Sequence, residues 1–265
     1  MIRVLCLIGA PRTGSTRVAS ILSGFQALAV RREIFNDHVA ESLEQECSAL
    51  GAHAGITGVQ GVNDRRLVDW LRSHPNDAIE WLLPRMNKSV FVFKLFDGHI
   101  RDPELRRQVL SRPDTGFLLV RRRPIDIYIS AIKAWEIRRM RYVDTTNVQA
   151  RGDVEEFIKG VKRLWNWFDE CYRTITDARR PVGLLSYGDE IMRPDAEFVE
   201  LLRHKLEALG VDPGAYGEIE GRPVTRQDRS TSYVHKMTNW ATFSEALRRY
   251  PDYAQAFDEW APGTG

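Results

Sequence analysis

Between Gly9 and Thr16 the chain reads Gly-Ala-Pro-Arg-Thr-Gly-Ser-Thr, with an apolar run before it (Val4 to Ile8) and an apolar-periodic stretch after it (Val18, Ile21, Leu22). A loop of this composition between a strand and a helix turns its backbone N–H groups, and the positive end of the helix dipole, toward one anion-sized space. The expected occupant is a phosphate, cradled by Pro11, Arg12, Thr13, Gly14, Ser15 and Thr16. The spacing Gly9-x-x-x-x-Gly14-Ser15-Thr16 is nearly the Walker loop of nucleotide triphosphatases, except that Ser15 stands where those proteins place a lysine. That lysine holds the terminal phosphates, usually with Mg²⁺. Its replacement, with the cation moved forward to Arg12, implies a phosphate ligand of another kind.

A second group of chemistry-bearing residues follows a later apolar run. After Leu118-Leu119-Val120 come Arg121, Arg122 and Arg123, then Pro124, Asp126 and Ser130. Three consecutive arginines at the carboxyl end of a buried strand repel one another unless an anion or several carboxylates lie close, and in open α/β sheets that edge is where ligands sit. With a helix starting at Pro124, Ser130 is about 9 Å along it at 1.5 Å per residue. A phosphate shared by Arg122 and Ser130 therefore lies beside this helix, apart from the one in the first loop, and two separated phosphate sites imply a ligand with two separated phosphates.

The elements that must position these groups alternate along the chain. Short apolar runs at 4–8, 90–95, 116–120 and 182–186, which lack polar alternation, suit strands covered on both faces of a parallel sheet. Helical patterns fill the intervals at Leu67 to Met86 (broken near Pro75), Pro124 to Met140, Val154 to Ala178 and Ala196 to Leu209, the last ended by Gly210. The segment from Glu41 to Asn63, rich in small and polar residues, reads as an irregular stretch or lid. The expected architecture is a single α/β domain over 1–265, a P-loop-like three-layer fold with a central, mainly parallel sheet flanked by helices. Acceptor-side segments are expected at about 38–88 and 131–180, and a segment covering the ligand at about 222–240. Arg138, Arg139 and Arg141 cluster inside the second acceptor-side segment.

Composition narrows the function classes. With 38 basic and 36 acidic residues the net charge is +2, which argues against bulk nucleic-acid binding. Three cysteines without ligand spacing suit buried thiols in a reducing compartment and suggest no metal centre. No apolar run reaches the roughly 18 residues of a membrane span, and the first residues lack the pattern of a cleavable leader. A cytoplasmic protein is expected.

Taken together, the motifs resemble those of the sulfotransferases that use 3'-phosphoadenosine-5'-phosphosulfate (PAPS). Pro11 to Thr16 fit that family's 5'-phosphosulfate loop, Pro-Arg/Lys-Ser/Thr-Gly-Ser/Thr-Thr. Arg122, Pro124, Asp126 and Ser130 fit its 3'-phosphate motif, Arg-x-Pro-x-Asp-x-x-x-Ser, and Tyr187, Asp189 and Pro194 fit its strand ending in Tyr-x-Asp, whose tyrosine contacts the adenine. Arg226, Arg229 and Asn239-Trp240 resemble the C-terminal segment closing over the 3'-phosphate, without the usual Arg-Lys-Gly run. Arg32-Glu33-Ile34-Phe35-Asn36, and Phe93-Lys94-Leu95-Phe96 with His99, are similar to the bacterial carbohydrate and nodulation-factor branch. In the animal enzymes a histidine base lies two residues after a strand-end lysine; here that position is Phe96.

The resemblance implies transfer of a sulfuryl group from PAPS to a hydroxyl of a small-molecule or carrier-bound acceptor (carbohydrate, lipid or other metabolite), releasing adenosine 3',5'-bisphosphate (PAP). Negative charge then grows on the departing 5'-phosphate, where loop N–H groups, Arg12 and Lys94 are the expected donors. Glu33 is the first candidate for the base that takes the acceptor's proton and His99 the second. A sulfuryl group carries less negative charge than a phosphoryl group, so the reaction requires no metal. Two competing readings are a small-molecule kinase of the same fold, against which the missing loop lysine counts, and a catalytically silent nucleotide-binding module.

Overall fold

The structure is a computed structural model and describes residues 1–138, 143–219, 228–250 and 256–263. In chain order its elements are β1 (Val4–Gly9), α1 (Ser15–Leu22), β2 (Leu28–Val30), α2 (Cys47–His53), α3 (Arg65–Ser73), α4 (Pro75–Leu82), β3 (Val90–Phe96), α5 (Pro103–Leu110), β4 (Thr115–Arg121), α6 (Pro124–Glu136), α7 (Val154–Asp177), β5 (Val182–Ser186), α8 (Asp195–Ala208), α9 (Tyr233–Lys236) and α10 (Trp240–Leu247). The five strands form one sheet, ordered β2-β3-β1-β4-β5, and every pairing is parallel. This is the α/β layering that the apolar runs require, since strands buried on both faces have no reason to alternate polar residues.

Alternate strand residues feed two cores. Val4, Cys6 and Ile8 of β1 join Phe91, Phe93 and Leu95 of β3 in the cluster covered by α2 to α5 and α7, whereas Leu5 and Leu7 join Val92, Leu118 and Val120 beneath α1 and α8. A third cluster ties Ile125 and Ile129 of α6 to Phe157 and Val161 of α7 and Phe243 of α10. From β1 the chain turns to one side of the sheet and from β4 to the other, so the loops after these adjacent strands part and leave a crevice, the switch point at which open α/β sheets take ligands.

Three features depart from the sequence expectation. The edge strand β2, three residues long, carries too short an apolar run to be seen by periodicity. The segment 41–63 is irregular as expected outside α2 but is anchored in the core: Leu43, Cys47 and Leu50 are spaced to bury one face of α2 and its approach, and they sit in the first core. The helix expected to reach Met140 ends at Glu136, and Arg139 and Arg141 lie outside the described residues. Among the described residues no helix is long and apolar enough to cross a membrane.

Candidate active site

A cavity of about 880 Å³ opens over the carboxyl ends of β1, β3 and β4. Its wall includes Pro11, Arg12, Gly14, Ser15 and Thr16 of the first loop, Arg122 and Ser130 of the second motif, Tyr187, and Glu33. Residues from four separate stretches of sequence thus meet in one space.

The first loop is fixed from within. Thr13 is fully buried and its hydroxyl donates to the Ala10 carbonyl at 2.8 Å. Gly14, at φ +94°, caps α1 in the left-handed region that other residues enter at roughly 1–2 kcal/mol. A Cβ there would also stand 2.7 Å from the Tyr187 ring, so this position requires glycine for space as well as for backbone. Behind the loop, Trp167 donates its indole N–H to the Gly9 carbonyl at 3.0 Å, which makes this tryptophan a buried brace for the end of β1.

Arg12 behaves differently from its sequence assignment. It too has a positive φ, +74°, and its Nε donates to the Ser130 hydroxyl at 2.9 Å, so the loop's cation reaches across to the second motif. Arg122 answers from the other side by donating Nη1 to the Arg12 carbonyl at 2.7 Å, with its guanidinium 4.0 Å from the centre of the Tyr187 ring. Its Nε is buried and without a hydrogen-bond partner. A charged donor left in that state costs about 1–3 kcal/mol or more, and an anion between Arg122 and Ser130 would relieve it.

The neighbouring arginines diverge, which resolves their mutual repulsion. Arg121 donates to the Trp260 carbonyl at 2.8 Å and Arg123 pairs with Asp126 at 2.7 Å. Tyr187 is set by a π-turn, Tyr187–Ile191, that follows β5 and is capped by the Ser186 hydroxyl, which accepts from the Asp189 N–H. Such single π-turns recur at functional sites.

Glu33, 7% exposed, reaches the same cavity from the connection after β2. Lys94, fully buried in β3, holds its Nζ 3.4 Å from Glu33 Oε1 and 3.5 Å from the Thr16 hydroxyl, linking the carboxylate to the first turn of α1. Asn36 donates its amide to Glu33 Oε2 at 3.1 Å. His99 lies beneath: its Nδ1 accepts the Phe96 N–H at 3.2 Å, which leaves the proton on Nε2, 3.8 Å from Glu33 Oε2. Burial pushes the His99 pKa down to about 4, so this imidazole is neutral near pH 7 and directs an N–H at the carboxylate.

Two groups were invisible to motif reading. Lys133, fully buried one turn beyond Ser130, pairs at 2.8 Å with Asp228, and Asp228 lines the cavity. No short motif joins residues 95 positions apart. Conversely, the described residues of the C-terminal match do not line the cavity, although Asp228 of the same segment does. Arg229 pairs with Asp144, and its side chain is 70% exposed; Asn239 exchanges hydrogen bonds with the Gly152 backbone, and Trp240 packs on Tyr233. Arg226 lies outside the described residues. Of the segment 38–88 only His38 lines the cavity, whose remaining wall comes mainly from α6, α7, the turn after β3 and the turn after β5.

No family model and no curated protein matches this chain. Among solved structures, it is similar to a sulfotransferase from Alicyclobacillus acidocaldarius (13% identity, 97% of this chain and 94% of that one, TM-score 0.48). It is also similar to the sulfotransferase domain of the Synechococcus PCC 7002 olefin synthase (14% identity, 79% and 74%, TM-score 0.44). A third similarity is to the sulfotransferase domain of the curacin biosynthetic pathway (13% identity, 89% and 82%, TM-score 0.44).

Proposed function

We propose that this chain is a PAPS-dependent sulfotransferase acting on an acceptor hydroxyl, with Glu33 as general base. The observation that carries the proposal is the coupling of two anion-seeking sites in one cavity. The first is a backbone cradle at Gly14 to Thr16 on the amino end of α1; the second is the Arg122–Ser130 pair, with Arg12 bonded to both of its members. A single phosphate needs only the cradle, whereas an adenosine carrying phosphates at both ends of its ribose needs both.

Bound PAPS supplies an activated sulfuryl group whose leaving oxygen belongs to the 5'-phosphate. The chain's contribution is electrostatic and positional. The N–H groups at the start of α1, with Lys94 beside Thr16, oppose the charge that accumulates on the leaving phosphate. Glu33 receives the acceptor's proton; it is held by Asn36 and Lys94 and faces the cavity, while His99 turns an N–H toward it and so acts as a positioning group. Tyr187, pressed between Gly14 and Arg122, offers the adenosine a wall. Arg229 is engaged with Asp144 at the surface, and this reading assigns it no ligand role.

The test is calorimetric competition. PAP is expected to bind and to displace PAPS, with ATP at least tenfold weaker because no lysine stands at Ser15 to receive its terminal phosphates. Equal or tighter ATP binding would overturn the proposal in favour of a kinase.

A further inference from the structure

Beyond Glu33 the cavity runs between α6 and α7. Ile127, Ala131 and Trp135 recur at helical spacing along one helix, and Phe157, Val161 and Leu164 along the other; all six line the space. Apart from the Trp135 indole, none carries a hydrogen-bonding group. Several polar groups nearby are engaged with one another, while the His38 imidazole, 83% exposed beside Asp37, stands at the solvent mouth. The Tyr128 hydroxyl donates to the Asp153 carbonyl at 3.1 Å and accepts the Asp153 N–H at 2.7 Å. Asn36 uses its amide on Glu33 and its carbonyl on the His38 N–H. Arg163 and Asp97 pair at 3.3 Å near solvent, with Arg163 79% exposed.

Gly160 completes the trough. It stands inside the 24-residue helix α7, where glycine costs about 0.8–1 kcal/mol relative to alanine. A Cβ built on it meets nothing within 4 Å. Gly160 is exposed, so the space left by its missing side chain lies on the solvent-open side of the trough, next to the apolar wall.

This lining discriminates between acceptor classes. Each sugar hydroxyl brought against it without a partner would cost about 1–3 kcal/mol, whereas each methylene buried there gains about 0.8 kcal/mol. We infer that the acceptor is an apolar alcohol, one hydroxyl on an alkyl or aromatic skeleton, with the skeleton in the α6–α7 trough and the hydroxyl at Glu33. The inference rests on the sulfuryl-transfer reading and narrows it away from the carbohydrate acceptors of the branch that the sequence resembles. In the reaction the acceptor oxygen bonds to sulfur, the bond from sulfur to the 5'-phosphate oxygen breaks, and the hydroxyl proton passes to Glu33.

The experiment titrates the full chain, with and without saturating PAP, with hexanol, heptanol, octanol and methyl glucoside, and then measures turnover of the same four with PAPS. Affinity and kcat/KM are expected to rise about three- to fourfold per methylene, which is 0.8 kcal/mol converted at 25 °C, and methyl glucoside is expected to be at least tenfold poorer than octanol. Gly160→Leu, which favours helix and fills the trough, should weaken octanol at least tenfold and leave PAP affinity unchanged. Absence of the chain-length trend, glucoside matching octanol, or an indifferent Gly160→Leu variant would each overturn the inference. The alcohol series without PAP separates the two readings. Chain-length-dependent octanol binding with no PAP binding upholds the trough and defeats sulfuryl transfer, and PAP binding with no alcohol preference does the reverse.

Discussion

The cavity has two halves built on different principles. In the strand-end half the parts bind one another: Arg122 holds the Arg12 carbonyl, Arg12 holds Ser130, and Tyr187 fills the space that Gly14 leaves. In the helix-face half, Ile127, Ala131, Val161 and Leu164 offer surface and volume with hardly a directional contact. The first half is a geometry, in which one misplaced atom disturbs several others. The second is a capacity, in which the effect of a change scales with the area or volume altered. Glu33 stands at the seam, anchored to the strand-end half through Lys94 and facing the other.

The largest effect expected from a single change falls at that seam. Glu33→Gln keeps the shape and removes the proton acceptor, and a positioned base contributes roughly 100- to 10,000-fold. Single-turnover transfer from labelled PAPS should fall by that factor while PAP affinity stays within about threefold of the wild type. A variant that turns over at the wild-type rate would take the base away from Glu33, and a variant that loses PAP would show that the seam belongs to the nucleotide half.

His99 supplies a test of stability at the same place. Its pKa is about 4 in the folded chain against an ordinary 6.5, so as pH falls the unfolded chain takes up the proton first. The stabilisation is complete above pH 6.5 and is lost as pH falls toward 4, amounting to about 2–3 kcal/mol by pH 4.5 at 1.36 kcal/mol per pKa unit. Urea denaturation at about pH 7.5 and 4.5 should show wild type losing about 2–3 kcal/mol more than His99→Gln. Equal losses would mean that the imidazole is solvated or already charged in the folded state, and that Glu33 has a cation beneath it.

The two halves also differed in how far the sequence disclosed them. Gly14, Arg122, Ser130 and Tyr187 could be read because each sits at a fixed offset from a strand end, where a turn and a buried apolar run mark its position. All five strands are parallel, and four of them are mainly apolar runs without polar alternation for the same reason; β2 escaped notice because three edge residues make no period. Of the helix-face half the sequence could name only a stretch, 131–180, because Ile127, Val161 and Leu164 have the spacing of ordinary core residues, and only the fold determines which of them look into a cavity. Lys133 and Asp228 form a pair that no local pattern announces. Arg12 was legible as a site residue but not in direction, since its reach to Ser130 follows from a backbone angle of +74°.

Arg122→Ala sharpens the comparison from the strand-end side. The substitution removes the bond to the Arg12 carbonyl and the contact with the Tyr187 ring, so Arg12 and Tyr187 lose a neighbour along with the anion site. A charge-assisted hydrogen bond is worth about 1.5–3 kcal/mol, which corresponds to PAP binding roughly 10- to 150-fold weaker by calorimetry. Arg122→Lys should recover only part of this, because an ammonium keeps the charge but not the planar fork that serves Arg12 and an anion together. The alcohol series should be untouched in both variants if the halves are independent in the way their construction implies. A matching loss of octanol affinity would show instead that the trough takes its shape from the Arg12–Arg122–Ser130 network, and that the cavity is one geometry throughout.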